Sequence, residues 1–329
     1  MKTPTYPGLA LLAACVIAAA LPADARLLSF TAGSLSGPRL STGDCDGDGT
    51  VDGALAGSLS GRVDEPAALR SARVDWYAAP GTPSVASSEL NVADDIAHAD
   101  LDGDGHDEIV VGGAHDWHVL HLVNGLLRER ASGTTTAPLW RVAATDIDGD
   151  DRDELALVTL RRGLVDEVPR AAVELIAVVM TPMGVTLSVL DTWSVDAHVG
   201  DVCFAPAADG PVLIIETGAE EVGGRLHRLS TTGGLLREEG VVIAGTERLR
   251  ILSLSAVDVG QRTLVSLGDV TGRIRLVEWR GEDLRSYGVV PLAGTGAALA
   301  GSVGGDAQMW IAPFRPGDPL GWWSPVDFR

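Results

Sequence analysis

The sequence predicts an all-β fold, a β-propeller of six four-stranded blades or seven, and three observations carry that reading. An acidic nonapeptide recurs at a spacing near 50 residues, each copy running into an apolar segment. Between the copies lie short runs rich in Val, Leu and Ile, punctuated by Gly, Pro, Asn and Asp. The chain of 329 residues is 46% hydrophobic and 21% charged, which suits one large domain with a sizeable core.

Repeats come before secondary structure, because a period of this length decides the architecture. Asp44-Cys45-Asp46-Gly47-Asp48-Gly49-Thr50-Val51-Asp52 precedes Ala54-Leu55-Ala56-Gly57. Asp100-Leu101-Asp102-Gly103-Asp104-Gly105-His106-Asp107-Glu108 precedes Ile109-Val110-Val111-Gly112. Asp146-Ile147-Asp148-Gly149-Asp150-Asp151-Arg152-Asp153-Glu154 precedes Leu155-Ala156-Leu157-Val158. Further on the acidic loop decays while its strand persists, at Pro211-Val212-Leu213-Ile214-Ile215, Thr263-Leu264-Val265-Ser266-Leu267 and Met309-Trp310-Ile311-Ala312. That makes six repeats, each with room for about four short strands. A lone blade leaves an apolar face bare, and stacking blades in a ring covers it. Leu27-Leu28-Ser29-Phe30 is the natural candidate for the outer strand that completes the last blade.

The amino terminus reads as a secretion signal. Met1 and Lys2 lead into an apolar run from Leu9 to Leu21, which ends at Ala23-Asp24-Ala25, an A-x-A cleavage pattern. Residues 1–25 are therefore expected to be removed, leaving 26–329 as the propeller domain. The run is short for a permanent span, and no later segment reaches 18 consecutive apolar residues. Leu12-Ala13-Ala14-Cys15 also resembles a bacterial lipobox, which would leave a lipid-anchored protein in place of one free in the periplasm or outside the cell. The apolar run continues past Cys15, which favours the longer signal.

Acidic residues outnumber basic ones 45 to 25, and loss of Lys2 with Asp24 leaves the net charge at −20. Lys2 is the sole lysine. A lysine-free acidic surface argues against nucleic acid as a partner, since affinity there rests on neutralising phosphates. It also excludes lysine Schiff-base chemistry. Cys45 and Cys203 are the cysteines left after processing. Cys45 stands at position 2 of the first acidic loop, and Cys203 at the third position of a decayed loop starting at Asp201. In a six-bladed ring those repeats face each other across the axis, so the two thiols are expected to be free.

In the intact loops, acidic side chains occupy positions 1, 3, 5 and 9: Asp44, Asp46, Asp48 and Asp52; Asp100, Asp102, Asp104 and Glu108; Asp146, Asp148, Asp150 and Glu154. Oxygen donors alternating around a tight turn suit Ca²⁺, which takes six to eight oxygens at roughly 2.3–2.6 Å. Position 7, occupied by Thr50, His106 and Arg152, would offer a backbone carbonyl. The flanking segments read as strands, so an EF-hand fails on context. An ordinary acidic turn accounts for one such loop but poorly for three with the same spacing.

These loops resemble the FG-GAP and VCBS repeat family, whose D-x-D-G-D-G-x-x-D pattern before an apolar strand also occurs in the propeller heads of integrin α-subunits. The resemblance implies calcium held between the first two strands of a blade. Glu108 and Glu154 at position 9 depart from the pattern, as does Asp151 where the third loop should carry glycine, which makes the third site the weakest. The fourth and fifth repeats keep only Asp201, Asp209 and Asp258 and are assigned no metal.

Other groupings point less far. In His115-Asp116-Trp117-His118-Val119-Leu120-His121, strand alternation places His118 opposite the other two histidines and breaks a three-histidine site. Tryptophans such as Trp76, Trp117, Trp140 and Trp193 are expected to fill gaps between blades. No nucleophile elbow, metalloprotease helix, phosphate loop or dinucleotide fingerprint is present. The expected function is a secreted, monomeric, calcium-binding module for an extracellular protein or glycan, without catalysis. The alternative is a polysaccharide lyase or hydrolase built on the same scaffold.

Overall fold

The computed structural model describes residues 30–31, 36–60, 71–78, 84–161, 170–181, 184–218, 224–243, 251–258, 263–269, 273–280, 283–290, 296–301, 307–312 and 319–323. The expected leader, with Cys15 and the cleavage site, lies outside the described residues. Strand β1 (Phe30–Thr31) precedes a sheet of β2 (Ser36–Gly43), β3 (Asp52–Ser60), β4 (Ser71–Tyr77) and β5 (Ala86–Leu90). A six-stranded sheet follows, made of β6 (Asp95–Ala99), β7 (Glu108–Val123), β8 (Leu126–Thr145), β9 (Glu154–Arg161), β10 (Arg170–Thr181) and β11 (Gly184–Val195). The next sheet holds β12 (His198–Ala205), β13 (Val212–Gly218), β14 (Arg225–Ser230) and β15 (Arg237–Ile243). After it come β16 (Ile251–Asp258), β17 (Thr263–Asp269), β18 (Ile274–Arg280) and β19 (Asp283–Val290). The last sheet combines β20 (Gly296–Gly301), β21 (Ala307–Ala312) and β22 (Pro319–Trp323) with β1, which pairs antiparallel with β22 through Phe30 and Leu320.

This is an all-β propeller whose first and last described strands share one sheet. Strands β2, β6, β8, β12, β16 and β20 lie side by side in that order, and β20 closes back onto β2. Among the described residues the strands form four separate four-stranded sheets, not six or seven, because the second and third repeats share the six-stranded one. The cause is β8. Its first part pairs with β7, from Val123 opposite Leu126 to Asp116 opposite Thr134 and, past a register shift, Ala114 opposite Leu139; its second part pairs with β9, from Leu139 opposite Thr159 to Thr145 opposite Glu154. Thr134-Thr135-Thr136 favours extended backbone and no turn interrupts it. Pro138, which has no N–H to give a ladder, sits where the strand changes partner.

Packing follows from the alternation of strand side chains. Ile109 and Val111 enter a core shared with β3 and β4, whereas Val110 between them enters another shared with Leu155 and Leu157. Ala156 and Val158 then face Leu213 and Ile215, and Val212 and Ile214 face Val265 and Leu267. Each strand after an acidic loop is thus buried on both faces, which is why its sequence is continuously apolar. Trp76 and Trp117 are buried in these cores, and Trp140 donates its indole N–H to Val199 O across the sheets at 2.7 Å.

Cys45 and Cys203 are both free and buried, in separate cores. Burial pushes both thiols up. Asp201 and Cys203 belong to strand β12 rather than to a decayed loop, so Cys203 is no positional counterpart of Cys45.

Four inner strands meet through charge. Arg141 on β8 donates its Nε–H to Gly200 O at 2.8 Å and lies 3.1 Å from Asp201 on β12. Arg39 on β2 lies 3.9 Å from Asp95 on β6 and 3.9 Å from Asp201. Asp95 also accepts the Val142 N–H at 2.8 Å, and Asp201 the Leu254 N–H at 2.6 Å. Removing one member of a buried charge network leaves the others uncompensated, at about 3–5 kcal/mol. Arg141→Met is therefore expected to lower the unfolding free energy by about that amount, as read from the urea midpoint; an unchanged midpoint would show that the network does not hold the ring.

Candidate metal centre

Three loops built alike join first to second strands: 44–52 between β2 and β3, 100–108 between β6 and β7, and 146–154 between β8 and β9. Left-handed backbone at positions 4 and 6 folds each loop back, with φ of 71° and 78° at Gly47 and Gly49, and 76° and 81° at Gly103 and Gly105. In the third loop Gly149 has φ 80° and Asp151 reaches 64°, so the aspartate adopts the turn that was expected to fail there. Aspartate tolerates this region better than most side chains do.

The position 1 carboxylate closes each turn. Asp44 accepts the Gly47 and Gly49 N–H groups at 2.8 and 2.9 Å, Asp100 those of Gly103 and Gly105 at 2.8 Å each, and Asp146 those of Gly149 and Asp151 at 2.7 and 3.2 Å. Position 9 anchors the base by accepting the position 2 N–H: Asp52 from Cys45, Glu108 from Leu101 and Glu154 from Ile147, at 3.0, 3.1 and 3.0 Å. Position 5 accepts the position 7 N–H, pairing Asp48 with Thr50, Asp104 with His106 and Asp150 with Arg152.

The carboxylates expected as ligands do not all converge. Oxygens within 4.8 Å of one another come from Asp44, Asp46 and Asp48; from Asp100, Asp102 and Glu108; and from Asp146, Asp148 and Glu154. Asp104, Asp150 and Asp52 stand outside these groups. One methylene shorter than Glu108 and Glu154, Asp52 reaches the Cys45 N–H and the Trp76 indole N–H with a single oxygen. Its other oxygen is buried without a hydrogen-bond partner, as is Oδ1 of Asp102. At position 7, the Thr50 hydroxyl donates to Asp48, while the His106 ring would meet a Cβ at Gly47 and the Arg152 chain one at Gly103. The second and third loops thus each rest against the one before.

Position 8 ties the loops together, a role the repeat pattern did not suggest. Asp107 donates its N–H to Asp44 O at 2.8 Å and accepts the Asp44 N–H on Oδ2 at 2.7 Å. Asp153 does the same with Asp100, at 2.7 and 2.9 Å. A Cβ at Gly43 would lie 2.1 Å from the Asp107 carboxylate, so glycine is needed there. The signal was present in the sequence: aspartate at position 8 appears in the second and third loops and gives way to Val51 in the first, which has no intact loop before it.

His98, His115 and His118 each meet a different partner. His98 is buried with its Nδ1 2.9 Å from the Ser41 hydroxyl, and burial depresses it to about 3. His118 pairs with Glu129 at 2.9 Å, and His115 faces the Thr135 carbonyl.

Burial, the largest cause in each case, raises Asp52 to about 7, Glu108 to about 7, Asp107 to about 6 and Asp153 to about 7. Between roughly pH 4 and 7 the folded protein keeps protons that the unfolded chain has released, so stability falls as pH rises through that window. In metal-free buffer the melting temperature is expected to be higher at pH 5 than at pH 7.5; the opposite order would show these carboxylates to be ionised throughout. Asp153→Ala, which strips the Asp100 N–H of its acceptor, is expected to cost about 1–3 kcal/mol in urea unfolding.

Residues 100–157, covering the second and third loops, match the FG-GAP-like repeat family. No curated protein matches the sequence. Among solved structures, the chain is similar to one in the crystal structure of BBS1N in complex with ARL6DN, soaked with lead, with TM-score 0.50 and 14% identity over 91% of this chain and 97% of that one. It is also similar to a chain of the mitotic checkpoint complex, with TM-score 0.51 and 12% identity over 99% of this chain and 97% of that one. At such identities the likeness concerns the fold alone.

Proposed function

We propose that this chain is an exported, calcium-stabilised binding module: a six-bladed propeller, its second and third blades fused through β8, that presents loops to an extracellular protein or glycan. The observation that carries the reading is the threefold recurrence of one hydrogen-bond pattern around clustered carboxylates. The residues fit a hard divalent cation. Every side-chain donor is an oxygen, carboxylate oxygens stand within 4.8 Å of one another, and buried oxygens of Asp52 and Asp102 lack partners. Asp44, Asp46 and Asp48 would hold one ion, Asp100, Asp102 and Glu108 a second, and Asp146, Asp148 and Glu154 a third. The ion would supply the positive charge that lets these groups stay ionised, and rigidity to the end of the ring where the first-to-second-strand loops gather.

The binding reading is supported over the polysaccharide-active one at the ring's inner strands. An acid catalyst there needs a carboxylate free to exchange protons with a substrate. Asp95 and Asp201 are instead committed to Arg39, Arg141 and backbone N–H groups. Among the described residues no helix is long and apolar enough to cross a membrane, which is compatible with release from the cell.

Calcium is expected to raise the melting temperature and EDTA to lower it, with Asp46→Ala and Asp148→Ala each removing part of the gain. An ion at a hundredfold excess over its dissociation constant stabilises by about 2.7 kcal/mol. An identical melting curve in calcium and in chelator would overturn the metal assignment. A glycan array run beside a mixed-polysaccharide degradation screen separates binding from catalysis, turnover without binding being the outcome that defeats the module.

A further inference from the structure

The second loop differs from its two neighbours in one respect: a cation of the protein already stands among its carboxylates. Arg130, on the β8 arm of the long β7–β8 ribbon, places Nη2 2.5 Å from Asp102 Oδ2 and Nη1 2.5 Å from Glu108 Oε1. These are two of the three residues whose oxygens would hold an ion there. The third, Asp100, already receives the N–H groups of Gly103, Asp104 and Gly105. Among the described residues, no ion pair reaches the clustered carboxylates of the first loop or the third. The first loop meets its base with an indole, Trp76 donating to Asp52 at 3.3 Å, and the third with the Ile147 N–H alone.

We propose that Arg130 is the built-in counter-cation of the second loop, so that a divalent ion must displace its guanidinium to bind there. A guanidinium stays charged at every accessible pH, and its fork of donors suits two carboxylates at once. It neutralises part of the charge repelling across Asp100, Asp102 and Glu108, so this loop keeps its shape without metal. The same contact lowers apparent affinity, because an ion sees only the fraction of molecules in which Arg130 has swung away. The second loop therefore fills last as calcium rises. Arg130 is also next to Glu129, which holds His118 across the ribbon. Displacing it frees a positive charge on that ribbon only when calcium is present.

This inference rests on the calcium reading, and the test separates the two. Full-length protein carrying Asp46→Ala and Asp148→Ala, which leaves the second loop as the remaining site, is titrated with Ca²⁺ by calorimetry, with and without Arg130→Gln. Removal of the competitor is expected to tighten binding about tenfold or more; equal affinity overturns the proposal. In EDTA, Arg130→Gln alone is expected to melt about 3 °C or more below the parent, with Arg130→Lys between them and Arg128→Gln unchanged. If calcium binds nowhere, the metal reading fails, and the melting order in EDTA still decides whether Arg130 is the counter-cation: a drop confined to Arg130 variants upholds it, and no drop refutes it.

Discussion

Carboxylates within 4.8 Å of one another repel, yet this chain builds three such groups at one end of its ring. The repulsion is contained first by backbone N–H groups. Each loop spends its position 1 aspartate on closing the turn and its position 9 acid on fastening the base. It is contained next by the neighbouring blade, through the paired hydrogen bonds of Asp107 with Asp44 and of Asp153 with Asp100. The loops are therefore a connected row in which the backbone of one loop's first aspartate is held by the next loop along. A cation in any one of them acts on a structure already joined to the others.

The ring shows the same economy of shared surfaces. A strand such as Ile109-Val110-Val111 serves two cores at once, and neither core is complete without the next blade. Antiparallel pairing of β1 with β22 puts a strand that precedes the first blade into the last one, so the circle is closed by backbone hydrogen bonding. Inside the ring, Arg141 and Arg39 answer Asp95 and Asp201 across four inner strands. This buried network ties blades that are distant in sequence.

Much of this was legible in the sequence because it is local. Turn residues at fixed offsets, acidic positions 1, 3, 5 and 9, and the apolar run after each loop depend on neighbours within ten residues. So do the Asn124-Gly125 turn between β7 and β8 and the Gly233-Gly234 turn between β14 and β15, each with left-handed backbone. In the third loop Asp151 reaches the left-handed angle that glycine takes in the other two, its N–H held by Asp146, and this contact too lies within the loop.

What the sequence by itself determined is the blade as a unit: all-β strands, their period, the acidic turns and the presence of a closing strand near Phe30. Only the tertiary structure decided which side chains meet across units. Asp201 reads as the relic of a loop and is a buried partner of Arg141; Asp107 and Asp153 have no place in the repeat pattern and join the loops; Asp52 reads as a ligand and stands outside its loop's group; β8 runs through two repeats without a break. The physical reason is the same in each case. Spacing along the chain fixes the geometry of a turn, whereas contacts between residues some fifty positions apart depend on how twisted sheets pack, and that is set by all the strands together.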